Sequence, residues 1–160
     1  MSKRIGEIIS KIYRRPVEGR QVLTASIAEA EALPLLPGVA VISIVAPGRE
    51  PADLPAYQHL LRLNFADVDF LDKNLTERAK AKLNAAMTPS HAKELHAFIQ
   101  ELPSTIHIVL VHCQGGISRS PGVAAALNAV YGYSIETERL KKANESVTQL
   151  LIKEAKSKSR

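Results

Sequence analysis

The sequence predicts an α/β fold, a central and mostly parallel sheet flanked by helices. Apolar runs short enough for buried strands, Val39 to Val45 and Ile106 to Val111, alternate with stretches at helical spacing. Helix-start signals recur between them, at Ser26, Thr76 and Thr88-Pro89. The chain has 160 residues, 46% of them hydrophobic, which suits one domain with a proper core.

The elements follow in order. Ile5, Ile8, Ile9, Ile12 and Tyr13 fall at helical spacing, so residues 3 to 13 read as an amphipathic helix with a basic face. Its apolar stripe is expected to pack on the domain or on a second copy of the chain, which makes a homodimer through residues 1–20 an expectation. Val22 to Ala25 is a short strand. Ser26-Ile-Ala-Glu29 is a capping box that starts a helix running to about Leu36, where Pro37-Gly38 ends it. Val39 to Val45 is a buried strand, and a Pro/Gly-rich connection, Pro47 to Pro55, follows. His59 to Phe65 is the next strand, with a loop holding Asp67, Asp69 and Asp72 behind it. Thr76 caps a helix expected to reach Met87. Thr88-Pro89 opens another, with Leu95, Phe98, Ile99 and Leu102 on its inner face. A strand over 106–111 leads to Cys113, and a helix carrying Pro121 runs until Gly132 stops it. Ser134 is expected to cap a long final helix reaching about Lys153. Residues 1–20 thus read as a basic amphipathic segment, 21–155 as the domain and 156–160 as a basic tail.

Composition narrows the function. The net charge of +5 suits acidic partners, phosphorylated substrates among them. The excess gathers at the ends, in Lys3, Arg4, Lys11, Arg14, Arg15 and Arg20, and in Lys153, Lys156, Lys158 and Arg160. Aromatics are few and not interleaved with these clusters, so no nucleic-acid partner is expected. No apolar run approaches membrane-spanning length, and the first residues lack the apolar core of a secretory signal. A cytoplasmic location is the expectation. The single cysteine cannot form an internal disulfide and suits a reducing compartment. His59, His91, His96, His107 and His112 show no zinc-type pairing, and there is no second thiol, so neither metal nor cofactor is expected.

The chemistry concentrates in Val109-Leu-Val-His-Cys-Gln-Gly-Gly-Ile-Ser-Arg-Ser120. This reads as a buried strand ending in a cysteine, a small-residue loop, and an arginine where a helix opens. Gly115 and Gly116 permit backbone angles that a side chain would forbid. Successive N–H groups of residues 114 to 119 (Gln114, Gly115, Gly116, Ile117, Ser118 and Arg119) can then face one concavity, reinforced by the positive end of the helix. An anion held there also meets the planar fork of Arg119. The same donors lower a cysteine's pKa and stabilise a phosphoryl group in transfer. Ser120 adds a hydroxyl that can hydrogen-bond the leaving sulfur, and His112 can orient the loop through the backbone. An inert buried cysteine before a glycine turn is the plain alternative, but a mere turn requires neither Arg119 nor Ser120.

His-Cys-x-x-Gly-x-x-Arg-Ser, here His112, Cys113, Gly116, Arg119 and Ser120, resembles the signature of cysteine-dependent protein tyrosine phosphatases. The order of elements over residues 20 to 150 is similar to a compact dual-specificity-type member. The resemblance implies a phosphotyrosine-phosphatase-like fold and a phosphomonoester hydrolase working through a cysteinyl-phosphate. It also implies a phosphorylated substrate, a phosphotyrosine-containing protein in the first instance, and an aspartate on a loop after an upstream strand as general acid. By position after its strand Asp67 is the choice, with Asp69 and then Asp72 as alternatives. The Trp-Pro-Asp motif of the tyrosine-specific branch is absent, since the chain has no Trp. Other cysteine-loop enzymes fit less well. A rhodanese-like sulfurtransferase uses a shorter, basic loop, an arsenate reductase wants more cysteines, and phosphoinositide phosphatases often carry loop lysines. Outside enzymes, the alternative is a phosphate-recognising module that keeps Arg119 and the glycines without turnover.

Overall fold

The computed structural model describes residues 3–14 and 19–158. Arg15, Arg160 and the side chain of Lys158, parts of the two basic ends, lie outside it. The described chain is α/β. In order, its elements are α1 (Lys3–Tyr13), β1 (Gln21–Ser26), α2 (Ile27–Ala32), β2 (Val39–Val45), β3 (Leu60–Asn64), α3 (Glu77–Lys80), α4 (Pro89–Gln100), β4 (Ile108–Cys113), α5 (Arg119–Tyr131) and α6 (Glu145–Lys158). The four strands form one sheet in the order β1-β4-β2-β3, parallel throughout. β2 and β4 are buried at every residue, as a parallel sheet covered on both faces requires.

Each face has its own apolar layer. On one, Ile42, Ile44, Leu63, Val109 and Val111 meet Leu95, Ile99, Leu127 and Leu151 from α4, α5 and α6. On the other, Leu23, Val41 and Leu110 meet Ile5, Ile8 and Ile12 of α1 together with Leu33 and Tyr57. The apolar stripe of α1 is therefore spent on the chain's own sheet. Arg4 locks the helix down. Its guanidinium is buried, donates to the Thr24 carbonyl at 2.6 and 3.1 Å, and forms a two-pronged pair with Glu136 at 2.5 and 2.7 Å.

Three expected helices are corrected. The helix from Ser26 keeps its capping box but ends at Ala32 rather than about Leu36, because Leu33 precedes Pro34 and takes extended angles, φ −71° and ψ 141°. The expected helix from Thr76 to Met87 is only the single turn of α3 and a 3₁₀ turn, Leu83–Ala85. Neither piece buries a residue, and only Ala85 packs, partly buried, against the small cluster of Ala66, Val68 and Ala86, so little tertiary packing offsets the cost of a longer helix. The Ala85 carbonyl instead accepts from the Ala66 N–H at 2.7 Å, folding this segment back beside β3. The final helix begins at Glu145, not Ser134. Ser134 is drawn alongside β1, where its carbonyl accepts from Val22 and its N–H donates to Arg20. Asn144 supplies the cap, its Oδ1 accepting the Val147 N–H at 3.2 Å.

Candidate active site

β4 carries the cysteine to the carboxyl end of the sheet, and α5 starts at Arg119. Cys113 is buried between these two elements. The Ser120 N–H lies 3.4 Å and the Ser120 Oγ 3.2 Å from its Sγ. Both are hydrogen bonds that a thiolate accepts better than a thiol.

The loop between them is shaped by close approach. Gly116 has φ +71°, and a Cβ there would sit 2.7 Å from the Ala25 carbonyl carbon and the Ser26 nitrogen at the end of β1. Only glycine fits this crossing. Gly115 is different, since its Cβ would meet nothing nearer than the Ile117 side chain at 3.7 Å. Ile117 turns outward, 55% exposed, so the backbone of this position is its contribution to the loop. The Gln114 carbonyl accepts from the Ile27 N–H, and the Ser118 carbonyl from Gly122 and Asn144. The N–H groups of residues 114 to 118, by contrast, donate to no protein group among the described residues. Donors with no internal acceptor await one from outside.

Arg119 completes the cradle. It is only 6% exposed, and its Nη1 donates to the Phe65 carbonyl at 2.9 Å, which ties it to the end of β3. Its Nε is buried with no partner among the described residues. A buried cation with one unsatisfied donor is costly unless an anion answers it.

Behind the loop, His112 is fully buried, and desolvation pushes its pKa below the ordinary histidine value of 6.5. Its Nδ1 faces the Cys113 carbonyl at 3.4 Å, which can only accept, so Nδ1 carries the proton. Nε2 then accepts from the Ser43 hydroxyl at 2.6 Å. The ring thus bridges β2 to the peptide that carries the cysteine.

The three aspartates separate. Asp67 is exposed and lines a cleft of about 510 Å³ together with Gln114 and Arg119. Its Oδ1 accepts from Ser118 Oγ at 2.8 Å and Asn144 Nδ2 at 3.0 Å, so it is tied directly to the loop. Asp69 accepts from Ser146 Oγ and the Leu71 N–H, which pins the loop to α6. Asp72 accepts from the Asn74 N–H at 2.9 Å in a local turn.

Sequence reasoning missed Asn144. It is 4% exposed, and its amide reaches both Asp67 and the Val68 carbonyl, while its backbone N–H holds Ser118. One residue thus joins the aspartate loop to the Cys113–Ser120 loop. Gly122 makes room for it, because a Cβ there would lie 2.7 Å from the Asn144 carbonyl oxygen. A glycine inside an otherwise good helix was the available signal of a close packing partner.

Among the described residues no group of histidine, cysteine and carboxylate side chains is arranged to hold a metal, and no helix is long and apolar enough to cross a membrane. No protein-family model and no curated protein matches the sequence. Among solved structures, that of PTPMT1 in complex with PI(5)P is similar in overall shape, with a TM-score of 0.45 and 16% identity over 88% of this chain and 95% of that one.

Proposed function

We propose that this protein is a cysteine-dependent phosphomonoester hydrolase of protein-tyrosine-phosphatase, dual-specificity-like type. The observation that carries the reading is the convergence of unanswered donors, the N–H groups of residues 114 to 118 and the buried Arg119 Nε, on the loop that holds Cys113. A bound phosphomonoester dianion supplies the missing acceptors.

In the proposed reaction, Cys113 Sγ attacks phosphorus in line while the phosphorus–oxygen bond to the leaving group breaks. Asp67 gives its proton to the departing oxygen. The product is a cysteinyl-phosphate and a free alcohol or phenol. Asp67, now a carboxylate, takes a proton from water as that water attacks phosphorus. The sulfur–phosphorus bond breaks, inorganic phosphate leaves, and the Ser120 hydroxyl and N–H receive the returning thiolate. Arg119 and the loop amides hold the equatorial oxygens in both steps. Asn144 and Ser118 aim Asp67, the first choice among the three aspartates because it alone of them lines the cleft.

The test is hydrolysis of an aryl phosphate by the purified protein without metal, beside Cys113→Ser and with vanadate. Turnover abolished by the substitution and blocked by vanadate supports the reading. Vanadate binding without turnover between mildly acidic and neutral pH would instead mark a phosphate-recognising module.

A further inference from the structure

We infer that Arg49 and Lys82 form a second anion subsite, and that the substrate is a phosphomonoester carrying a second phosphate on a small, non-aromatic frame. The inference rests on the phosphatase reading for the place of the first phosphate and concerns what surrounds it. The cleft that begins at Gln114 and Arg119 is bounded by two exposed walls. Arg49 comes from the connection between β2 and β3, and Lys82 from the segment after α3. At about 510 Å³ the cleft is far roomier than one phosphate needs.

Three features point to a polar, charged occupant. No aromatic side chain lines the cleft, and its apolar lining is alanine and proline only, so an aryl ring would find no stacking partner. Neither Arg49 nor Lys82 is within ion-pair distance of a carboxylate among the described residues, whereas Arg4, Lys11 and Lys80 are. The one carboxylate lining the cleft, Asp67, already accepts two hydrogen bonds at Oδ1. Two unpaired cations beside an anion loop raise the local positive potential, and they offer a fork and a point charge to a second anion.

The experiment is calorimetric titration of full-length Cys113→Ser with propyl phosphate and with propane-1,3-diyl bisphosphate at one ionic strength. These ligands share a carbon frame and differ only in the second phosphate. The bisphosphate is expected to bind about tenfold tighter. Arg49→Ala with Lys82→Ala should bring the ratio near one, while removing two cations outside the cleft, Lys93→Ala with Lys142→Ala, should leave it intact. Equal affinities at the start, no binding of either ligand, or a preference that survives loss of Arg49 and Lys82 would each overturn the inference. Failure of the phosphatase reading is separate. It would show as no phosphate released by the unaltered protein from either an aryl phosphate or the bisphosphate, with the bisphosphate preference in binding still present.

Discussion

The two sides of the cleft are built in opposite ways. The loop from Cys113 to Ser120 hangs between a strand buried at every residue and a helix whose first six residues are all buried. It is gripped from β1, β3 and Asn144. The wall from Leu75 to Ala85 has two short turns that bury nothing, and Ala85 is tied back to Ala66. The positions proposed to hold a phosphate are anchored in the core, whereas the wall proposed to meet the rest of the ligand is lightly held. Preorganisation and selectivity thus sit on different parts of the fold.

Breaking the gripped side should have the largest effects. Cys113→Ser is expected to lower kcat by at least ~10⁴-fold with little change in Tm, since the replacement is nearly isosteric. A single-turnover assay that still accumulates product would contradict it. Gly116→Ala should cost about 2–4 kcal/mol in chemical denaturation and at least ~100-fold in activity, because a Cβ strikes the end of β1 at positive φ. Gly115→Ala, one position away, should stay within about 0.5 kcal/mol. Similar losses at both positions would refute this account of the loop.

Asn144→Ala removes donors to Asp67 and Val68 and the cap of α6. We expect roughly 1–3 kcal/mol of destabilisation and a fall in kcat of about tenfold with KM little changed. A KM effect alone would mean that Asn144 serves the phosphate loop and not the aspartate. The smallest effect belongs to the wall. Thr76→Ala deletes the cap of α3, whose Oγ1 accepts from Ala79. It should speed amide exchange there locally while leaving Tm within about 1 °C, since α3 buries nothing.

The buried His112 adds a pH term. Its folded pKa lies below the ordinary 6.5 because burial disfavours the charged ring. The unfolded chain therefore takes up this proton first as pH falls. Stability is unaffected by this group above about 6.5, and declines as pH drops from there toward the lowered folded value. His112→Asn should flatten that part of the profile in acid-range thermal melts.

Much of this was legible in the sequence. The strands announced themselves as short apolar runs, and the loop by residues that no plain turn requires. Gly132 and Pro121 marked α5 correctly, with Gly132 in the left-handed conformation at φ +73°. What failed was local reasoning about segments whose fate is set by distant partners. Ser134 looks like a helix cap, but β1 claims its backbone. Residues 77–85 carry helix formers with no buried residue among them, and burial begins only at Ala86 and Met87, past the last helical turn. Asn144 shows no periodicity, since its role rests on contacts 26 and 77 residues upstream, at Ser118 and Asp67.

That last reach has a consequence for synthesis. The chain emerges from its N-terminus, so Cys113 and Arg119 are made before Asn144 and Ser146. A nascent chain ending near residue 140 holds every N–H of the Cys113–Ser120 loop, yet lacks the Asn144 tether of Asp67 and the Ser146 tether of Asp69. It lacks as well the Asn144 N–H that holds the Ser118 carbonyl, so the loop and Asp67 await the same residue. Elongation past Asn144 therefore fixes the loop and the Asp67 segment together.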